Sequence, residues 1–223
     1  RETASMVSSP AADSFRARLL RGDILAGSFL KTTTLHGSEI LGGLGFDFLV
    51  VDEEHSPFDR QSTDAALFAA RATGAAGLVR VQSPSPHHLL SVLDCGAAGG
   101  LVPHVATAAL AEQVAAACRY RGGKRGYSGS VRAAGYGGGK MWDYIAAADA
   151  GVTVVAQIED PEALDEIAQV VRSHERPSQL VSYNGRPSIM LSITKQADAN
   201  TLQLVEHLQA FAGERNPLLA GQG

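Results

Sequence analysis

Short apolar runs recur along the chain, each closed by polar or charged residues and followed by a stretch with helical spacing. The run Phe46-Asp47-Phe48-Leu49-Val50-Val51 is too short for a free-standing helix and too continuous for a strand with one wet face. It therefore predicts a strand buried on both faces, as parallel sheets require. The same pattern predicts strands over 24–30, 77–81, 99–102 and 152–158. Apolar positions three and four apart predict helices over 14–21, 37–44, 107–119, 141–150 and 200–212, and one ending near Ala72 that Ser62 or Thr63 would cap. Ser85-Pro86 and Asp160-Pro161 read as helix starts, since serine and aspartate cap free amides and proline is pre-shaped for the first helical position. These open helices running to Cys95 and Val171. Strands that recur every ~25 residues with helices between them form repeated βα units, and so a parallel sheet.

In such sheets ligands sit beyond the carboxyl ends of the strands. Three strand ends carry polar chemistry: Asp52, Glu54 and His55; Arg80; Gln157 and Glu159. A carboxylate such as Glu159 suits Mg²⁺ or Mn²⁺, which favour oxygen ligands. Arginine offers a permanently charged planar fork that matches a carboxylate or an enolate oxygen. A histidine moves protons near neutral pH, and a nearby acid such as Asp52 can fix its tautomer. Each feature alone also fits a solvated acidic turn or a structural ion pair; together they suit proton abstraction or carbon–carbon cleavage beside a carbonyl.

Composition narrows the partners. The 223 residues, 45% of them hydrophobic, suffice for one domain of barrel or doubly wound size. A formal charge of −4, from 19 basic and 23 acidic residues with no long basic run, argues against nucleic acid. No apolar stretch approaches the ~18 residues needed to span a bilayer, so no membrane is expected. Cys95 and Cys118, without CxxC spacing, read as buried thiols of a reducing, cytoplasmic compartment. Residues 1–13, polar and small, are set apart as a disordered N-terminal segment, with Met6 an alternative start. The glycine-rich run 121–140 lacks both GxxxxGK[ST] and GxGxxG, and is expected to be a mobile loop over the strand ends, with a phosphate cradle as the alternative.

The ordered set Phe46-Asp47-Phe48-Leu49-Val50-Val51-Asp52-Glu53-Glu54-His55, Val79-Arg80-Val81, Leu93-Asp94-Cys95-Gly96-Ala97, Leu101-Val102-Pro103, Arg119-Tyr120 with Arg125-Gly126, and Gln157-Ile158-Glu159 resembles the HpcH/HpaI family of metal-dependent class II pyruvate aldolases, the 2,4-dihydroxyhept-2-enedioate aldolase type. The resemblance covers residues 24–171 and implies a TIM (β/α)8-type barrel of the phosphoenolpyruvate/pyruvate superfamily. It also implies reversible cleavage of a 4-hydroxy-2-oxo acid to pyruvate and an aldehyde through a metal-stabilised enolate. Carried over, His55 would transfer the proton with support from Asp52, and Arg80 would bind the pyruvate carbonyl oxygen. Glu159 would hold Mg²⁺, Mn²⁺ or Co²⁺ with Gln157 beside it in the substrate pocket. Asp94 would reach a neighbouring subunit's site in a homo-oligomer.

The family pattern stops after Val171, where a glycine-proline-alanine-aspartate-leucine segment with a second metal carboxylate is expected and not found. Asn184-Gly185 between two extended runs predicts a β-hairpin. The domain division is therefore an aldolase-type portion over 14–172, an incomplete barrel of six βα units, and an atypical hairpin-helix segment over 173–223. Residues 183–219 are similar to a porter-domain segment of efflux pumps. The alternative to an active aldolase is a catalytically silent truncated or chimeric member of the family serving as an interaction subunit.

Overall fold

The computed structural model describes residues 14–160, Ala163, and two short strands at 181–183 and 186–188. Its centre is a five-stranded parallel sheet: β1 Gly27–Leu30, β2 Phe48–Asp52, β3 Ala76–Arg80, β4 Gly99–Val102 and β5 Thr153–Ala156. The spatial order is β1-β2-β3-β4-β5, the same as the order along the chain. A doubly wound sheet reverses direction at a switch point, whereas a barrel adds each strand on the same side. The unreversed order is that of a (β/α) barrel, and five strands make an arc of it. The six βα units counted from the sequence compare with five parallel strands among the described residues.

Helix α1 Phe15–Arg21 precedes the sheet, α2 Leu35–Gly43, α3 Arg60–Ala72 and α4 Pro86–Asp94 each follow a strand, and α5 Ala108–Ala117 and α6 Met141–Gly151 both lie between β4 and β5. The strand period of two sorts the side chains between the faces. Val50, Leu78, Leu101 and Val155 form one buried cluster, with Phe15, Phe48 and Ala98 against it. The alternate positions belong to the helix side: a Cβ added at Gly77 would run into Leu67 of α3, and one at Gly100 would touch Leu89 of α4. The same alternation carries Asp52, Arg80 and Gln157, all buried, one step beyond the apolar cluster towards the carboxyl ends. An apolar layer thus floors a polar one.

The two largest differences from the expected boundaries have local reasons. The first strand begins at Gly27, the first residue in register with β2, opposite Phe48. Before it, the Asp47 carboxylate takes the Ala26 N–H (2.8 Å) and Ile24 is 98% exposed. Helix α3 starts at Arg60 because Asp59 and Ser62 cap each other: Ser62 N–H donates to Asp59 Oδ1 (2.8 Å) and Asp59 N–H to Ser62 Oγ (2.9 Å). Thr63, the other expected cap, instead donates its hydroxyl to Glu53 Oε1 (2.7 Å).

Two arginines of the glycine-rich run are drawn to the helices. Arg132, in a 3-10 turn over Arg132–Gly137, grips Asp64 of α3 with two hydrogen bonds (3.0 and 2.6 Å), and Arg125 donates to Asp94 of α4 (3.1 Å). Those arginines are engaged by carboxylates, which also removes them from any phosphate cradle. The expected hairpin is present: β6 Val181–Tyr183 and β7 Arg186–Ser188 pair antiparallel about Asn184-Gly185. Residues 1–13, the helix expected over 200–212 and, apart from Asp160 and Ala163, the helix expected over 160–171 lie outside the described residues. Among those described, no helix is long and apolar enough to cross a membrane.

Candidate active site

Asp52 is the last residue of β2 and Arg80 the last of β3, and the two strands place them opposite each other in register. Arg80 Nε and Nη2 donate to the two Asp52 oxygens (2.9 and 2.8 Å). Lys31, just past β1, brings its ammonium to Asp52 Oδ2 (3.0 Å), and the His55 backbone N–H donates to Oδ1 (3.1 Å). Burial disfavours the Asp52 charge, but the hydrogen bonds from Arg80, Lys31 and His55 outweigh it and hold the carboxyl well below the usual range. Burial likewise opposes the Arg80 charge, and Asp52 and Glu54 more than restore it. The guanidinium lies over the Phe29 ring, 5.1 Å from its centroid. Two of its five N–H donors are spent on Asp52.

A second cluster adjoins this pair. Glu54 Oε2 is 3.3 Å from Arg80 Nε and has no hydrogen-bond partner among the described residues, while Glu54 Oε1 is 3.7 Å from both His55 Nε2 and His104 Nε2. His104 follows β4 with a positive φ of 55°, uncommon for a residue with a Cβ. Its backbone N–H donates to Glu159 Oε1 (2.9 Å), and its Nδ1 is 3.4 Å from Glu159 Oε1 and from Asp160 Oδ2. Glu54, His104 and Glu159 can each offer one ligand atom, all within 4.8 Å of one another. Hard oxygens with one imidazole fit a divalent cation.

The expected residues are thus distributed unevenly. Asp52, Arg80 and Glu159 converge. Gln157 is buried, with an Oε1 that has no partner among the described residues. His55 reaches the Asp52 carboxylate by its backbone; both Asp52 oxygens are occupied by cations, and the ring is 63% exposed beside Glu54. Asp94 is not brought to this cluster. It lines a separate cavity of about 410 Å³ with Arg60, Asp64, Cys95 and Arg132. Lys31 and His104 were missing from the candidate set, and Glu54 stood in it as a strand-end acid without an assigned role. Glu54 stands in the same acidic strand end, His104 directly follows Val102-Pro103, and Lys31 directly follows Leu30, so strand-end position was the available signal.

A one-way parallel arc with a charged cluster at its carboxyl ends defines a barrel-type α/β scaffold. The sequence profile described as HpcH/HpaI aldolase/citrate lyase matches residues 26–181, and the chain belongs to that family. It is 34% identical over 154 residues to a hydroxypyruvate/pyruvate aldolase of Roseobacter denitrificans, covering 68% of this chain and 59% of that protein. It is 35% identical over 159 residues to a 2-keto-3-deoxy-L-rhamnonate aldolase of Shigella sonnei, covering 70% and 59%. Among solved structures, an HpcH/HpaI aldolase/citrate lyase family protein of Burkholderia cenocepacia superposes with a TM-score of 0.67 at 29% identity, over 74% of this chain and 65% of that one. The matched part thus spans about 59% of the length of the curated relatives. The likeness of 183–219 to an efflux-pump segment gains no support from these relatives.

Proposed function

We infer that this chain carries the donor half of a class II aldolase site, an aldehyde-lyase that joins and splits pyruvate, or a related 2-oxo acid, and an aldehyde. The single observation that carries the reading is Arg80: a buried guanidinium at a strand end, anchored on one side by Asp52, with three N–H donors left. Its anchoring leaves the remaining edge of the fork for a keto or carboxylate oxygen, pre-oriented before substrate arrives. The Lys31 ammonium, 58% exposed beside the same carboxylate, adds positive charge for an anionic substrate.

Glu159 and Glu54 would hold the divalent ion, Mg²⁺, Mn²⁺ or Co²⁺, with Gln157 beside the substrate. When bound, such an ion supplies Lewis-acid polarisation of a carbonyl. His55 takes the proton lost from the carbon next to the carbonyl while the electron pair moves towards the keto oxygen; the Arg80 fork stabilises the charge that develops there. Asp52 orients both residues, Arg80 through its side chain and His55 through its backbone amide. In a homo-oligomer, Asp94 would complete a neighbouring chain's acceptor pocket. A cytoplasmic setting belongs to the same reading, consistent with the two free buried cysteines.

The test is exchange of the pyruvate methyl protons with D2O, followed by NMR with and without Mn²⁺ or Mg²⁺. Enolisation needs no knowledge of the aldehyde. Ion-dependent exchange that is lost in Arg80→Ala and slowed in His55→Ala is the expected result. Absence of exchange from pure, folded protein would replace this reading with the catalytically silent family member.

A further inference from the structure

Among the described residues, Glu54 and Glu159 are joined by one further donor that is not a carboxylate, His104. We propose that His104 is a ligand through Nε2, so that the site is a two-glutamate, one-histidine centre that takes Co²⁺, Zn²⁺ or Mn²⁺ in preference to Mg²⁺. The proposal rests on the aldolase reading above and extends it to the identity of the ion.

Three observations carry it. The first is convergence: Glu54, His104 and Glu159 come from the ends of β2, β4 and β5, and one donor atom of each lies within 4.8 Å of the others. The second is the backbone of His104. A φ of 55° is unfavourable in a residue with a Cβ, and here the turn is fixed by the His104 N–H on Glu159 Oε1 (2.9 Å) and the Ala106 N–H on the His104 carbonyl (3.0 Å). The conformation turns the ring onto the acids. The third is the division of labour between the two ring nitrogens. Nε2 faces Glu54 Oε1 at 3.7 Å, whereas Nδ1 is 3.4 Å from both Asp160 oxygens and from Glu159 Oε1. A metal-bound histidine almost always gives its other N–H to a carboxylate or carbonyl, which fixes the tautomer and raises the basicity of the ligand. Asp160 is placed for that role.

Ion preference follows from the donor set. Mg²⁺ demands oxygen and dehydrates reluctantly, whereas imidazole suits later first-row ions and Zn²⁺. The competing arrangement is an imidazolium paired with the surrounding acids, with no ion bound, and it would give the same distances in a metal-free chain.

Calorimetric titration with MgCl2, MnCl2 and CoCl2, together with pulsed EPR of the Mn²⁺-loaded chain, separates these cases. One Co²⁺ per chain is expected, bound at least ~10-fold more tightly than Mg²⁺. His104→Ala should weaken Co²⁺ by more than the ~10–100-fold that loss of even an outer-shell partner costs, with little change for Mg²⁺, and Asp160→Asn should fall within that range. The EPR should show a directly bound ¹⁴N that persists in His55→Ala and vanishes in His104→Ala. If His104→Ala does not fold, the ¹⁴N signal of the otherwise intact His55→Ala chain decides alone. Ion binding that Glu159→Gln abolishes, but without any ¹⁴N coupling, would overturn the histidine ligand and leave the aldolase reading standing. Absence of binding by any ion at millimolar concentration would overturn both.

Discussion

Replacing Asp52 with Asn keeps the shape of the side chain and removes its charge, which isolates what the carboxylate does for the fold. Asp52 has no exposed surface and Arg80 is 6% exposed, so Asp52→Asn leaves a guanidinium with little access to water. Breaking a buried pair by removing one partner costs about 3–5 kcal/mol, chiefly the desolvation of the charge left behind. Two features moderate the loss here. Glu54 Oε2 remains 3.3 Å from Arg80 Nε, and the amide oxygen can still accept one hydrogen bond. Lys31 is mostly exposed and returns to water at little cost. The expected destabilisation is therefore at the low end, about 3 kcal/mol. At ~2–4 °C per kcal/mol for a chain of this size, Tm should fall by roughly 6–12 °C. Urea melts at pH 7 of Asp52→Asn, Arg80→Met and the double variant form the assay. Removing both charges eliminates the stranded ion, so the double variant should be more stable than Asp52→Asn alone. A loss under about 1 kcal/mol, or simple addition of the two single effects, would refute the buried-pair argument.

Further expectations concern other parts of the scaffold. The Asp64 carboxyl is held below its usual range by the Arg132 hydrogen bonds, so its stabilisation is fully present above about pH 3.9 and lost as pH falls through the lower folded value. Melts of Asp64→Asn and wild type should differ at pH 7 by about 1 kcal/mol or less and converge in strong acid. A Cβ at Gly99 would strike the Thr153 carbonyl in the neighbouring strand, backbone that cannot move without opening the sheet. Gly99→Ala should accordingly cost about 1–3 kcal/mol in a urea melt. Burial pushes the Cys118 thiol up to about 12 and raises that of Cys95. Neither should react with a thiol reagent at pH 8 until urea unfolds the chain; fast labelling of the native state would contradict that burial.

The strands and their direction were legible because continuous apolar runs have few alternatives in a βα rhythm. Strand-end chemistry was legible for the same reason: once a run such as Phe48-Leu49-Val50-Val51 is a parallel strand, Asp52 must stand at its carboxyl end. What a single residue does with its neighbours was not. Ser62 and Thr63 are both competent caps, but Asp59 caps the helix in a reciprocal pair with Ser62 while the Thr63 hydroxyl goes to Glu53. Nothing local in the glycine-rich run 121–140 told where its arginines would pair: Arg132 and Arg125 find carboxylates on α3 and α4, at sequence separations of 68 and 31. His104 was hidden by its backbone, since nothing in Val102-Pro103-His104 announces a left-handed histidine. The expected support of the His55 ring by Asp52 is not what the geometry shows: Asp52 meets the His55 backbone N–H and not its ring.

On the proposed aldolase reading, the charges at the strand ends would let one arc of a barrel serve both halves of that chemistry. Asp52 is neutralised by Arg80 and Lys31 together, so the β1–β3 side of the cluster carries surplus positive charge. On the β4–β5 side, Glu159 and Asp160, with Glu54 reaching over from β2, have His104 as their shared partner, leaving a surplus of negative charge even if that histidine is protonated. A small anion and a divalent cation are each drawn to the opposite pole, and the poles meet where Arg80 Nε and Glu54 Oε2 are 3.3 Å apart. A 2-oxo acid bridging that boundary would have its oxygens between a guanidinium and an ion. That is the arrangement in which removing a proton from the adjacent carbon becomes easier, because both poles gain as negative charge builds on the keto oxygen. The site is therefore a product of neighbouring strands β1 to β5. Its polarity depends on which partner each carboxylate has taken, and the test of that dependence is whether Arg80→Met abolishes enolisation while leaving ion affinity intact.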